Sequence, residues 1–185
     1  GSFENRTRML LDGIQAAQSA CGKDFLVTSR LNVYDGFPYP YGFGVQEGGG
    51  LDVDLTEPIM LVEKLVNQGI KLLNITMGNP YVNPHVNRPF KTGPYTPEEE
   101  PVMGVKRMLE GTAELQKRFS DLPIICSGLS YLAENSPFVA AGLIEKGGAA
   151  MAGYGRITMA YPDFAKDILS HPDRPLDSGK CCIAC

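Results

Sequence analysis

Leu122-Pro123-Ile124-Ile125-Cys126-Ser127-Gly128-Leu129-Ser130 and, further along, Ala149-Ala150-Met151-Ala152-Gly153-Tyr154-Gly155-Arg156 are built alike. Each is a short apolar run that reads as a buried strand and ends in a glycine-bearing turn. Between them, Ser136-Pro137 reads as a cap followed by proline at the first helical position, opening a helix to about Lys146. Strand, turn, helix, strand is one unit of a parallel sheet with a right-handed crossover.

The same grammar extends outward from that unit. Residues 3–20 carry Met9, Leu10, Ile14 and Ala17 at helical spacing, and Gly22 follows as a stop. Phe25 to Leu31 reads as the first strand. A long loop over 32–54 holds the aromatics Tyr34, Phe37, Tyr39, Tyr41 and Phe43. Thr56 is placed to cap a helix with the stripe Ile59, Leu61, Val62, Leu65 and Val66, which Gly69 ends. A second strand is expected over 71–77, a Pro-rich loop over 78–97 and a helix over 99–119. A final helix, or two short ones, covers 156–169. No Asn-Gly or Asp-Gly turn joins adjacent strands, so hairpins are not expected. The fold class is α/β: a leading helix and about four parallel βα units. Two architectures satisfy this pattern, an open doubly wound sheet and half of a (β/α)8 barrel. A complete barrel takes roughly 250 residues, so this 185-residue chain supplies about half of one.

Composition narrows the function classes. With 43% hydrophobic and 21% charged residues, the chain has a globular make-up. A net charge of -4 with dispersed Lys and Arg argues against a nucleic-acid partner. No apolar run of about 18 residues points to a membrane span, and no charged-then-apolar leader opens the chain. Five cysteines, three of them in the last five residues, do not form a secreted disulfide framework, so a cytoplasmic setting is expected. Gly1 to Arg6 run straight into a helical pattern, and the chain stops inside Cys181-Cys182-Ile183-Ala184-Cys185. A segment of a longer protein is the expectation; a tag-derived Gly1-Ser2 on a complete small domain is the alternative.

Several residues carry candidate chemistry. Gly153-Tyr154-Gly155-Arg156 follows a strand and opens a helix. Glycine lets the backbone approach a ligand, and a helix start offers free N–H groups. Arg156 adds a fork matched to phosphate oxygens. Ser127-Gly128-Leu129-Ser130 sits the same way after the preceding strand, and two such strand ends side by side match a barrel phosphate site. The alternative is a pair of tight turns that need glycine for geometry. No dinucleotide fingerprint and no Walker loop is present. Arg30 closes the first strand, where it points either into a ligand site or to an ordinary ion pair with Asp35 or Glu47. His85, in the loop after the second strand, is a candidate proton donor or a solvated loop residue. His171 reads as surface. Cys182 and Cys185 form a soft-metal half site, with a redox dithiol or two inert thiols as the competing readings. Cys21 and Cys126 read as structural.

Taken together, these residues resemble a known family. Gly1-Ser2-Phe3-Glu4-Asn5-Arg6-Thr7-Arg8 is similar to the Gly-Ser-Leu-Glu-Asn-Arg segment of the Old Yellow Enzyme-like NADH:flavin oxidoreductases. Ser29-Arg30-Leu31, Ile124-Ile125-Cys126-Ser127-Gly128 and Gly153-Tyr154-Gly155-Arg156 follow in the family's order. The ending Cys182-Ile183-Ala184-Cys185 resembles the Cys-Ile-Gly-Cys stretch of the iron–sulfur branch, which contains 2,4-dienoyl-CoA reductase, 2-enoate reductases and trimethylamine dehydrogenase. The resemblance covers essentially the whole chain.

The resemblance implies strands five to eight of a (β/α)8 barrel with FMN at its mouth, over residues 1–180. Residues 181–185 would then begin an iron–sulfur motif. By that match Arg30 contacts the flavin's pyrimidine edge. Ser127, Gly128 and Leu129, with Gly153, Tyr154, Gly155 and Arg156, form the phosphate end. The family often has a second glycine where this chain has Leu129. His85-Val86-Asn87-Arg88 is similar to a His-x-x-Arg of dienoyl-CoA reductase, whose histidine belongs to the proton-donating pair. Cys182 and Cys185 would be two of four ligands of a 4Fe-4S cluster in the parent.

The implied parent takes a hydride from NAD(P)H onto FMN and reduces an activated C=C bond of an unsaturated acid, ester or acyl-CoA. Loops 34–43 and 79–97 are expected to shape the choice of substrate. The isolated segment is expected to be inactive, and to self-associate or pair with its missing half. The rival readings are a non-catalytic phosphate-binding module and an inert domain fragment.

Overall fold

The computed structural model describes residues 1–181. Helix α1 spans Phe3–Cys21, and the Ser2 hydroxyl accepts from Asn5 N at 3.3 Å at its start. Strand β1 follows at Ser29–Asn32, then helix α2 at Thr56–Asn67 and strand β2 at Leu73–Thr76. A one-turn helix α3 (Pro84–Asn87) interrupts the next loop before α4 at Pro101–Arg118. Strand β3 is Ile124–Cys126, helix α5 is Ser136–Glu145 and strand β4 is Met151–Ala152. Two short helices follow, α6 at Ile157–Ala160 and α7 at Phe164–Ser170, and then a 3-10 turn at Ser178–Lys180.

The four strands are all parallel and lie in the order β1-β2-β3-β4. The order never reverses. A doubly wound sheet needs a switch point, where the strand order turns back and helices move to the other face; none exists among the described strands. Right-handed crossovers that always step the same way put their helices on one face. Side-chain alternation agrees. Leu31, Leu73, Ile75, Ile124 and Cys126 are buried and share one core with Ile14, Leu61, Val62, Leu65, Met108 and Leu115 from the helices. The row Arg30–Asn74–Ile125–Met151 lies on the opposite face, in register across all four strands. Its members are exposed or half-buried.

Three local expectations need correction. The first strand is displaced: Phe25 and Leu26 lie before it and are 64% and 53% exposed. Pairing begins where Ser29 meets Leu73, and just before it Thr28 Oγ1 donates to Leu72 O at 2.6 Å. Thr56 does not cap α2. The N-cap is Leu55, which has no side-chain cap, and the Asp54 carboxylate just before it accepts from Thr56 N at 2.8 Å. Cys21 is exposed rather than packed, whereas Cys126 is buried.

The aromatic loop is anchored rather than loose. Tyr34 is fully buried, its hydroxyl donates to Leu51 O at 2.6 Å, and Arg107 stacks over its ring at 5.4 Å. No helix among the described residues is long and apolar enough to cross a membrane.

Candidate functional site

The carboxyl ends of β1 to β4 open onto a cleft of about 310 Å³. β1 and β2 contribute from the strands themselves, and β3 and β4 through the turns that leave them. Arg30, from β1, donates through Nη2 to Thr76 Oγ1 at 3.3 Å. It makes no ion pair among the described residues. Asp35, one of its expected partners, instead accepts from Asn32 Nδ2 at 2.6 Å and from Phe43 N at 2.8 Å. From β2, Asn74 Oδ1 accepts from Ser127 Oγ at 2.9 Å, which ties the second strand end to the third.

The two glycine turns meet at one end of this cleft, as expected. Gly128 has φ 86°, the left-handed region, so the turn after β3 requires glycine. Leu129 is fully buried, backbone included, and does not line the cleft, so of this turn only Ser127, Gly128 and Ser130 face it. Gly153 sits where chain packing leaves no room. A Cβ there would lie 2.8 Å from Ile125 Cγ2 and 3.1 Å from Asn74 Nδ2. Gly155 is different: nothing lies within 4 Å of its would-be Cβ, so its surroundings are open to a ligand.

The N–H groups of Gly128, Gly155 and Arg156 donate to no acceptor among the described residues. Arg156 Nη1 is buried and likewise unpartnered. A buried guanidinium N–H without an acceptor costs free energy comparable to a lost hydrogen bond. The helix after Arg156 is the first of two short ones, the second of the expected alternatives, and has only four residues, so the cradle rests on local N–H groups and not on a long helix dipole. Burial pushes the Tyr154 phenol up, with the nearby Ser136 hydroxyl opposing the shift; Tyr154 also packs against Phe164, ring centroids 5.2 Å apart.

His85 does not join this group. Its Nδ1 lies 2.7 Å from the Tyr95 hydroxyl and its Nε2 lies 3.7 Å from Glu99 Oε1. Glu99 in turn is bridged by Arg107. Phe90 and Tyr95 pack edge-on against the imidazole. Both ring nitrogens thus face groups outside the cleft. Two neighbours on the same loop, Asn87 and Arg88, line it instead. The aromatic residues of 34–43 contribute nothing to its lining.

Sequence reading missed Asn74, Thr76, Asn87, Arg88 and Met108 as cleft residues. A signal existed for the first two, since polar residues alternate with Leu73 and Ile75 in β2. Polar residues on alternate positions of a strand flanked by a buried core mark the solvent or ligand face. No group of three or more metal-ligating residues occurs among the described residues. Cys182 and Cys185, the expected metal ligands, lie outside them.

Comparison with models of known protein families finds no match, and comparison with curated proteins finds none either.

Proposed function

We propose that the cleft binds FMN through its phosphate, and that the chain is the strand five-to-eight half of a (β/α)8 barrel of the Old Yellow Enzyme-like NADH:flavin oxidoreductases. One observation carries the reading. Arg156 Nη1, buried and unpartnered among the described residues, stands with the Gly128 and Gly155 N–H groups, which likewise have no acceptor there, at the carboxyl ends of adjacent parallel strands. Phosphate oxygens supply the missing acceptors. The singly wound strand order and the uncovered sheet face support a half barrel, because parallel sheets ordinarily have both faces covered.

Bound flavin would supply the redox chemistry, accepting a hydride from NAD(P)H and passing it to an activated C=C bond. The protein's part is binding and orientation. Gly128, Gly155 and Arg156 hold the phosphate end. Arg30, steadied by Thr76, supplies positive charge at the opposite side of the cleft. His85, turned toward Tyr95 and Glu99, is left without a role in this cleft. Cys182 and Cys185 would be two of the four thiolates of a 4Fe-4S cluster in the parent. The cytoplasm is the setting this chemistry suits.

A second reading rests on the same cradle. Its groups recognise phosphate and do not discriminate the ring attached to it, so a non-catalytic phosphate-binding module would use them equally. An absorbance titration with FMN and with riboflavin separates the two. The flavoprotein reading expects a shifted flavin band with FMN and at least tenfold weaker binding of riboflavin, which lacks the phosphate. Uptake of inorganic phosphate or a sugar phosphate without any response to FMN would favour the module. A chain that ignores all of them would sink both readings.

A further inference from the structure

The loop between β2 and α4 has two sides. On one, Asn87 and Arg88 line the cleft. On the other stands a charged cluster that the proposed function does not use. Glu99 accepts from Arg107 through both carboxylate oxygens, and its Oε1 lies 3.7 Å from His85 Nε2. The side chains of His85, Arg107 and Glu99 are only 12%, 19% and 25% exposed. In every other ion pair among the described residues both partners are at least 40% exposed. Charges drawn this far from water are costly unless paired, so removing one partner here costs more than it would in a surface pair.

Hydrogen bonds fix the imidazole within this cluster. The His85 N–H donates to the Tyr95 hydroxyl oxygen at 3.4 Å, and the same oxygen lies 2.7 Å from Nδ1. Tyr95 has one proton to give, and Nδ1 is the acceptor beside it. The neutral ring then carries its own proton on Nε2, facing Glu99. Arg107 also stacks over the ring of Tyr34, which is fully buried in the loop after β1.

These contacts converge on α3, whose four residues are too few to hold a helix by themselves. His85 lies within it, Asn87 is its last residue and Arg88 its C-cap. The Arg88 N–H donates to Pro84 O at 2.7 Å, which closes the turn. Asn87 Nδ2 donates to Met77 O at 2.9 Å and lies 3.4 Å from Thr76 Oγ1, at the carboxyl end of β2. The turn packs on α4 where a Cβ at Gly104 would lie 3.5 Å from the carbonyl oxygens of His85 and Val86. A shift of this one turn would take Asn87 and Arg88 off the cleft together.

We propose that Glu99 is a positioning residue for the cleft: through His85 and Arg107 it clamps α3 against α4, and so keeps Asn87 and Arg88 on the lining. The role does not depend on which ligand the cleft takes. It gives His85 a place in the brace, with its ring turned away from the ligand.

The test is NMR on the 15N-labelled chain and on Glu99→Gln, which keeps the size and removes the charge. In the variant the Arg88 N–H is expected to exchange with solvent about tenfold or more faster, because charge-assisted bonds no longer hold the local opening closed. The cross-relaxation contact between the Asn87 side-chain amide and Thr76 should weaken. The long-range 1H–15N pattern of the His85 ring should lose its Nε2–H form, while that of His171, the only other histidine, stays as it is. The Leu73 N–H, which donates to Pro123 O at 3.2 Å in the sheet, should exchange as in wild type and so show that the fold is intact. Glu99→Asp keeps the charge on a shorter arm and should restore part of the protection at Arg88.

Unchanged exchange at Arg88 with an unchanged Asn87–Thr76 contact in Glu99→Gln would overturn the proposal. So would an Asp variant no better protected than the Gln variant, since charge would then not be what holds α3. Faster exchange at Arg88 and Leu73 alike would mean that Glu99 serves the whole fold rather than the placing of α3, and would overturn it as well.

Discussion

The two faces of the sheet share a backbone and little else. On the helix side, Leu73, Ile75 and Ile124 are fully buried with Leu65 and Leu115 from α2 and α4. On the other side, one residue further along each strand, Arg30, Asn74, Ile125 and Met151 form a row from polar to apolar that no described element covers. Strand geometry alone makes this possible, because neighbouring side chains point to opposite faces. The contrast separates two tasks. The covered face supplies the stability of the unit, and the uncovered face, with its carboxyl-end turns, is free to bind.

The largest effect should come from breaking the covered face. Leu115→Ala removes a fully buried side chain, and such truncations cost about 2–5 kcal/mol. Ile125→Ala, on the uncovered face, should cost less than about half as much, because its side chain is only partly buried. Urea midpoints of the two variants measure this directly. Equal losses would mean that the open face is covered in solution, as pairing with a second sheet would produce.

Glycines of the same turn sharpen the comparison between packing and binding. Gly153→Ala drives a Cβ against Ile125, Asn74 and the Cys126 carbonyl, the last only 3.2 Å away. Overpacking of that kind costs about 1–3 kcal/mol. Gly155→Ala meets nothing within 4 Å and should leave stability within about 0.5 kcal/mol of wild type. Its added methyl stands where a phosphate would approach the backbone, so FMN affinity should fall while the melting temperature holds. A Gly155→Ala chain that binds FMN as wild type does would remove Gly155 from the cradle.

This contrast also explains what could be read from the chain. Element order and parallel pairing follow from local signals: alternating strand and helix periods, Gly22 and Gly69 after helices, and Pro137 at a helix start. The glycine turns were legible for the same reason, because close approach and positive φ leave a mark in the residue itself. The start of β1 was not. Phe25 and Leu26 have strand character, yet pairing depends on where Leu73 falls, which is decided some forty residues away. Asn74 and Thr76 carry no motif, and only the sheet sets them beside Ser127 and Arg30. His85 is a candidate proton donor by its place in the loop after the second strand and by its His-x-x-Arg resemblance, and neither signal says what its ring faces. Its engagement with Tyr95 and Glu99 comes from how residues 88–100 fold back, which no short pattern encodes.

The smallest effect belongs to the end of a helix on the covered side. Hydrogen bonds from Thr56, its hydroxyl first and then its N–H, hold the Asp54 carboxyl below the usual carboxylate range. With the folded-state value depressed, the unfolded chain takes up its proton first as pH falls. This contribution is therefore present above about pH 4, the ordinary aspartate value, and is lost as the pH drops through the folded value. Asp54 is half-buried at the start of the helix, where solvent still screens part of the interaction, and Asp54→Ala should cost no more than about 1 kcal/mol at pH 7. Denaturation of wild type and variant at pH 7 and near pH 3 checks the sign: the difference should shrink in acid. A gap that stays constant would show that the carboxylate's charge is not what holds the start of α2. Its small size beside Leu115→Ala would itself be informative, since it would mean the helix is kept by the face it buries rather than by its end.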